Sequence, residues 1–100
     1  MELKGKAKED FEAWYPNWVK EQRLDYLKYP DEVVLRKFYR AVGAMQWGVY
    51  VDFFEEHSDG VNHALKLFRL YYVEMNRGYY EAMEASIEKT VLIYNLPANG

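Results

Sequence analysis

The chain has 100 residues, the usual size of a single domain. Its 13 Lys and Arg and 16 Asp and Glu residues give a net charge of −3, which disfavours the concentrated positive charge of a nucleic-acid-binding protein. The absence of cysteine excludes disulfides, thiolate metal sites and cysteine nucleophiles. Ser and Thr are scarce, whereas the chain has ten Tyr, five Phe and three Trp. This composition is typical of a compact, aromatic-rich domain that binds rather than catalyses.

The sequence predicts a cytoplasmic protein that does not enter a membrane. Its basic first residues are not followed by the apolar run of a signal peptide, and no apolar stretch approaches the roughly 20 residues that cross a bilayer. The lack of cysteine fits a reducing compartment. We expect a single domain over residues 1–100, with a flexible arm over 1–6 and a tail over 96–100.

Prolines divide the first part of the chain into short predicted helices. A first helix covers residues 7–14 and ends before Pro16, because the residue that precedes a proline is driven out of the helical region. Pro16 then opens a second helix that reaches about Tyr29. A third helix begins after Pro30, with acidic residues in its first turn, and ends at Gly43. The apolar stripe of this third helix consists of Leu35, Phe38, Tyr39 and Val42.

Residues 44–57 predict a buried central helix, since apolar side chains surround almost its whole circumference. Gly48 has a low helix propensity, so we expect a neighbouring element to pack closely against it. Asp52 lies in the same apolar segment, where an unpaired charge is costly. We therefore expect it to be buried beside a Tyr hydroxyl or an Arg, with an exposed position at the helix edge as the alternative.

Residues 61–76 fit two structures. A helical stripe accounts for most of the apolar residues, but Leu67, Leu70 and Val73 lie off it, and the segment around Leu70 favours a strand. No turn residue separates His63 from Met75, which disfavours a hairpin. We interpret the segment as a helix, with strands as the alternative.

The last predicted helix spans residues 79–95 and is strongly amphipathic. Its apolar stripe consists of Tyr79, Met83, Ile87, Thr90 and Tyr94. The predicted fold is therefore mainly α, a compact domain of about five to six helices around the buried central helix 44–57. The alternative is an α+β domain with one or more strands in 61–76.

The sequence predicts no catalytic residue, metal site or cofactor. His57 and His63 flank the turn over residues 58–60, but their spacing matches no established metal motif, and surface histidines are the simpler interpretation. Neighbouring residues of a turn point apart, so Ser58 does not form a catalytic triad with them. There is also no glycine-rich phosphate loop.

Three groups of residues are candidates for contact with a partner, although each also has an ordinary structural explanation. A basic strip on the third helix consists of Arg36, Lys37 and Arg40, with Tyr39 beside it. An acidic strip on the last helix consists of Glu81, Glu84 and Glu88. An aromatic corner around Pro16 consists of Trp14, Tyr15 and Trp18. Basic side chains can grip phosphate or acidic groups, acidic side chains can enter a groove built for nucleic acid, and Trp and Tyr are favoured at binding hot spots.

Three blocks of the sequence resemble a family of small proteins encoded by bacteriophages and prophages, especially those of Bacteroidetes. The blocks are Phe11-Glu12-x-Trp14-Tyr15, then Met45-Gln46-Trp47-Gly48-Val49-Tyr50-Val51-Asp52-Phe53-Phe54, then Ile87-Glu88-Lys89-x-x-x-Ile93-Tyr94-Asn95. The resemblance implies a first, a central and a C-terminal helix, often with a short strand pair between the last two. Residues 61–76 depart from that pattern, since they lack the turn of a strand pair. The resemblance implies a phage accessory protein and brings no catalytic residues with it.

Small phage accessory proteins commonly act by stoichiometric binding, so the resemblance leads to a first hypothesis. The chain would inhibit a protein of its bacterial host, such as a CRISPR effector or another nucleic-acid-handling defence protein, without binding nucleic acid itself. A second hypothesis is a sponge for a small nucleotide signal that uses Arg36, Lys37, Arg40 and aromatic stacking. A third is an enzyme, a metal-assisted hydrolase around His57 and His63. A further alternative is a structural or regulatory phage protein that binds its own copies as a homo-oligomer.

Overall fold

The structure, a computed structural model, describes residues 2–22, 28–41, 43–58 and 62–96. This part of the chain contains no strand, and its five α-helices are α1 (Gly5–Glu21), α2 (Asp31–Arg40), α3 (Ala44–His57), α4 (His63–Arg69) and α5 (Tyr79–Tyr94). α4 continues directly into a π-helical segment, Leu70–Glu74. The predicted mainly α fold is confirmed, and helix rather than strand occupies the ambiguous segment.

The helices form a flat molecule with extents of 43 × 34 × 21 Å. Since one helix with its side chains is about 10–12 Å across, the shortest dimension accommodates two layers of helices. α5 packs against α4, α3 and α1, while α1 also packs against α2. The last helix therefore contacts helices from the beginning, the middle and the later part of the described chain.

α1 passes through Pro16 as one helix, so the prediction of two shorter helices that meet at this residue is wrong. The Tyr15 ring stacks on Phe11 at 5.5 Å between centroids and on Trp18 at 5.9 Å. These contacts on both sides of Pro16 stabilise a helical path that the proline alone disfavours. Residues 23–27 of the predicted second helix lie outside the described ranges.

Phe11 is the centre of the aromatic core. It is fully buried, and its ring centroid lies 4.9 Å from that of Phe38, 5.1 Å from Tyr50 and 5.5 Å from Phe53. These rings belong to α1, α2 and α3, so one residue joins three helices. Burial raises the pKa of the Tyr50 hydroxyl, which keeps this ring neutral within the core.

α3 is central but is not buried on all sides. Tyr50, Phe53 and Phe54 are inaccessible to solvent, whereas Met45 is 78% exposed. Asp52 also lies on the exposed side, so the prediction of a buried carboxylate is wrong. Contacts of α3 with α4 and α5 cover one part of its circumference and leave another part open to solvent.

Residues close to the start of the chain are packed rather than forming the predicted arm. Leu3 is 2% exposed and lies in the core. The side chain of Lys4, the residue that precedes α1, does not cap this helix. The side chain of Asn95, at the end of α5, caps it instead. Its Oδ1 accepts a hydrogen bond from Ala7 N at 2.8 Å, and its Nδ2 donates to Lys4 O at 2.8 Å. The amide thus satisfies one free donor of the first turn and ties α1 to α5.

A carboxylate strengthens the same junction. Asp10 accepts hydrogen bonds from Lys6 Nζ at 2.6 Å and from the Tyr94 hydroxyl. The Lys6 contact and then the Tyr94 hydroxyl hold the pKa of Asp10 below its usual value. Burial raises the pKa of Tyr94, and the neighbouring Asp10 carboxylate raises it further. The two ends of the described chain are therefore joined by the Asn95 amide and the Tyr94 phenol, while Lys6 pairs with Asp10 within α1.

Gly48 provides a direct test of the helix packing. No atom lies within 4 Å of a Cβ placed on it, so the predicted close approach of a neighbour is wrong. Because alanine has a higher helix propensity and meets no obstacle there, we expect Gly48→Ala to raise the free energy of unfolding by about 1 kcal/mol. Urea denaturation followed by circular dichroism measures this change.

Gly5→Ala is the matched comparison, since here the glycine is required. Gly5 has a φ of +61°, and a Cβ would lie 3.0 Å from Asn95 Nδ2. We expect this variant to lower the free energy of unfolding by about 1–2 kcal/mol, because of backbone strain and displacement of the Asn95 cap. Equal effects of the two alanines would contradict this description of α1 and α3.

The Asp10 junction predicts a specific dependence of stability on pH. A carboxyl whose pKa is lower in the folded state stabilises the fold above its unfolded pKa, and this contribution is lost as pH falls through the folded pKa. The stability difference between the wild type and Asp10→Asn should therefore shrink as pH falls from about 5 to about 2. Glu9→Gln is the control, since Glu9 is exposed and has no ion pair among the described residues. A constant difference for Asp10→Asn over this pH range would contradict the assignment.

Candidate functional site

A second group of aromatic rings extends away from the core. We call it the aromatic string; its members are Trp47, Phe68, Tyr72, Tyr79 and Tyr80. The Phe68 centroid lies 4.9 Å from Trp47, 5.5 Å from Tyr72 and 5.7 Å from Tyr79. Tyr79 in turn lies 5.6 Å from Tyr80. The rings thus form a continuous path from α3 to the start of α5.

The inner end of the aromatic string is fixed by a buried hydroxyl. Trp47 Nε1 donates to Ser86 Oγ at 3.1 Å, and Ser86 Oγ donates to Met83 O at 2.7 Å. Thr90 similarly donates its hydroxyl to Ser86 O at 2.7 Å. Ser86 and Thr90 therefore satisfy their hydrogen bonds within α5 and towards Trp47, which assigns them a structural role.

The outer end of the aromatic string is exposed to solvent. The exposed fractions are 42% for Tyr72, 44% for Tyr79 and 71% for Tyr80. Leu65 and Val73, which are close to these rings in sequence, are also exposed. We call this exposed apolar region the aromatic face; its residues are Leu65, Phe68, Tyr72, Val73, Tyr79 and Tyr80. Tyr79, the first residue of the apolar stripe predicted for the last helix, is therefore exposed, whereas Met83, Ile87 and Thr90 of that stripe are buried.

The π-helical segment explains why sequence periodicity misplaced this surface. Met75 N donates to Leu70 O at 2.9 Å, a hydrogen bond between residues five apart. This wider turn changes the angular position of each following side chain, so an ideal α-helical stripe no longer describes the segment. None of residues 70–80 is buried. Leu70 and Val73, which lie off the predicted stripe, are the signal in the sequence that could have revealed this segment.

The predicted acidic strip continues from the aromatic face along α5. Tyr80, Glu84 and Glu88 follow one another at intervals of four residues, and all three are exposed. Such a row extends over about 12 Å of helix. Glu81 is also exposed, and its Oε1 lies 3.8 Å from Arg77 Nε. The outer side of α5 therefore presents a tyrosine followed by carboxylates.

The structure brings three of the predicted partner-binding residues to one groove. Tyr15, Trp18 and Lys37 line a cavity of about 390 Å³ between α1, α2 and α3. Lys37 Nζ lies 3.4 Å from the centroid of the Tyr29 ring, a cation–π contact. The aromatic corner and the basic strip thus meet through these residues.

Other predicted site residues lie apart from that groove. Trp14 Nε1 donates to Glu56 Oε2 at 2.7 Å and so connects α1 to α3. The Tyr39 hydroxyl donates to Glu12 Oε1 at 3.1 Å, and burial, reinforced by the Glu12 carboxylate, raises the pKa of Tyr39. Both aromatic side chains therefore join helices.

The remaining members of the basic strip are exposed on α2 and do not line the groove. Arg36 forms an exposed ion pair with Glu32 at 3.0 Å, and Arg40 is also exposed. An exposed pair of this kind within one helix contributes little to stability. Arg36 and Arg40 are thus accessible to a ligand or a partner.

The two histidines line the same pocket of about 220 Å³, together with Ser58 and Tyr94. His57 Nδ1 lies 2.8 Å from Phe53 O. Within the described ranges there is no group of three His, Asp or Glu residues that could hold a metal ion. In the same ranges no helix has the length and apolar character needed to cross a bilayer.

Comparisons with known proteins found no matching family model, no matching curated protein and no matching solved structure. The resemblance to phage proteins therefore depends on the three sequence blocks alone.

The aromatic string predicts that its inner and outer residues differ in their contribution to stability. We expect Phe68→Ala to lower the free energy of unfolding by about 2 kcal/mol, because Phe68 contacts three other rings. Tyr80→Ala should change it by less than about 0.5 kcal/mol, since Tyr80 is 71% exposed. Urea denaturation of both variants checks this difference, and a large loss for Tyr80→Ala would show that its ring is required for folding.

Proposed function

We propose that this chain is a non-catalytic protein that binds a host protein stoichiometrically and inhibits it. The observation that carries the proposal is the aromatic face, which is formed by residues of α4, the π-helical segment and the start of α5. At their exposed fractions, its side chains present roughly 500–600 Å² of mainly apolar surface. The largest apolar patch of a typical monomer covers about 300–600 Å² and is often a functional site, so the aromatic face lies at the upper end of this range.

The rigidity of the aromatic face favours tight binding. Tyr72 and Tyr79 pack against Phe68, which is held by Trp47 and its hydrogen bond to Ser86. Rings that are already fixed in the free protein lose little conformational entropy on association. Tyr also combines a large apolar ring with a hydroxyl that can form a hydrogen bond, which explains its enrichment at binding hot spots.

The charges next to the aromatic face favour a particular kind of partner. Glu84 and Glu88 continue in line from Tyr80, so a partner that covers the tyrosines also meets a row of carboxylates. A positively charged channel that normally holds a nucleic-acid backbone, with an apolar patch at its edge, is complementary to this arrangement. The chain would occupy that channel itself and would not bind nucleic acid.

The resemblance to phage proteins supplies the biological setting of this proposal. A phage accessory protein that blocks a basic nucleic-acid channel would act on host defence, and a CRISPR effector is one protein with such a channel. The inhibitor would work in the bacterial cytoplasm, at a ratio of one chain to one partner.

The proposal is tested by competition for a nucleic-acid-handling host protein. A tagged chain retrieves the partner from infected host cells, and the purified partner is then titrated with labelled nucleic acid in the presence of the chain. We expect the chain to displace the nucleic acid at a ratio of one to one, and we expect its affinity to fall as salt is added. Nucleic acid that stays bound in the presence of saturating chain would overturn the proposal.

Variants connect this competition to the proposed surface. Tyr80→Ala should weaken binding to the partner at least tenfold, and the charge reversal Glu84→Lys should weaken it and reduce its salt dependence. Leu96→Ala is the matched control, since Leu96 is an exposed apolar residue beyond the end of α5, outside both the aromatic face and the groove. Equal affinities of all three variants would contradict the role of the aromatic face. A chain that forms dimers by light scattering, and loses them in Tyr80→Ala, would instead support self-association.

A further inference from the structure

The groove between α1, α2 and α3 has features that protein binding by the aromatic face does not explain. Its cavity of about 390 Å³ falls within the usual range for small-molecule sites. Apolar side chains form most of its lining, and polar groups are few. The lining residues are Tyr15, Trp18, Lys37, Phe38, Ala41, Met45, Gln46 and Val49.

Gln46 is the unusual residue of this groove. It is 3% exposed, yet its side-chain amide makes no hydrogen bond to any part of the chain that the structure describes. In the same ranges no fully enclosed side-chain nitrogen or oxygen lacks a partner, so the Gln46 amide must reach solvent, and the groove is the opening that it lines. A polar group held in this way gains hydrogen bonds when a ligand offers both a donor and an acceptor.

The aromatic wall of the groove suits a planar ligand. Tyr15 and Trp18 are half-buried, with their rings nearly parallel at 21°. The Tyr15 ring is held in turn by Phe38, at 4.7 Å between centroids. A flat heterocycle can pack against rings held in this way without any rearrangement of the wall.

The rim of the groove carries positive charge. Lys37 forms no ion pair with a described residue, and its ammonium lies over the Tyr29 ring. Arg40 lies three residues further along α2 and is also exposed. Residues three apart on a helix are neighbours, so both cations can approach one anionic group at the rim.

We propose that this groove binds a purine nucleoside monophosphate. The base packs against the Tyr15 and Trp18 side chains that line the groove, and its edge pairs with the amide of Gln46, which can donate to and accept from a purine at the same time. The phosphate lies at the rim beside Lys37 and Arg40. This site is independent of the aromatic face, which lies on other helices.

Isothermal titration calorimetry with adenosine monophosphate tests the proposal, with adenosine and inorganic phosphate as separate ligands. We expect one molecule to bind per chain, with at least tenfold weaker binding of adenosine and no detectable binding of phosphate alone. Added salt should weaken the binding of the nucleotide and leave the binding of adenosine unchanged, since only the nucleotide carries charge. Absence of heat with the nucleotide at millimolar concentration would overturn the proposal.

Three substitutions identify the residues responsible. Gln46→Leu should weaken the binding of adenosine and of its monophosphate alike, by at least tenfold, because it removes the amide that pairs with the base. Lys37→Gln should weaken the binding of the monophosphate and leave the binding of adenosine unchanged. Gln22→Leu is the matched control, because Gln22 is exposed and does not line the groove. Unchanged binding in Gln46→Leu would overturn the proposal.

Two further measurements keep the result interpretable. Gln46→Met keeps the length of the side chain and removes its amide, so it should weaken nucleotide binding at least tenfold even if the leucine variant folds poorly; normal binding by this variant would contradict the site. Tyr80→Ala should bind the nucleotide with wild-type affinity, which separates this site from the proposed protein interface. A loss of nucleotide binding in Tyr80→Ala would contradict the independence of the groove.

Discussion

The packing of Phe11 is the constraint on which the rest of the molecule depends. Its fully buried ring meets Phe38 of α2 and both Tyr50 and Phe53 of α3, so these helices are arranged around one side chain. Interlocking aromatic rings bury a large area and also prefer particular angles, which fixes the orientation of each helix. The same packing leads α1 through Pro16, because the ring of Tyr15 continues the cluster beyond the proline.

Two separate surfaces follow from this arrangement of the core. Tyr15 and Trp18 extend the central cluster outward and become one wall of the groove, next to the amide of Gln46. From α3, Trp47 starts a second line of rings that reaches solvent at Tyr80. In both places other aromatic residues pack against the rings at the surface, so these rings are held in position before they meet a ligand or a partner.

Periodicity predicted those parts of the fold where one helix obeys one repeat. α5 begins and ends close to its predicted limits, and its carboxylates Glu84 and Glu88 are exposed as predicted. Periodicity failed where a contact distant in sequence decides the conformation. The Asn95 cap of α1 joins residues about ninety apart, and no local pattern indicates it. Periodicity did not predict the π-helical segment for another reason. The wider turn of this segment moves Tyr72 and Val73 to positions that an α-helical repeat does not describe.

The candidate sites were only partly predictable for a related reason. Residue type identified Tyr15 and Trp18 as members of an aromatic corner, but the amide that gives their groove its chemistry lies on another helix. Conversely, Trp14 has the side chain of a binding hot spot, yet its indole joins α1 to Glu56 of α3. Composition can show that the chain has more aromatic rings than a small core requires. The tertiary contacts decide which rings support the fold and which, like Tyr80, remain available to a partner.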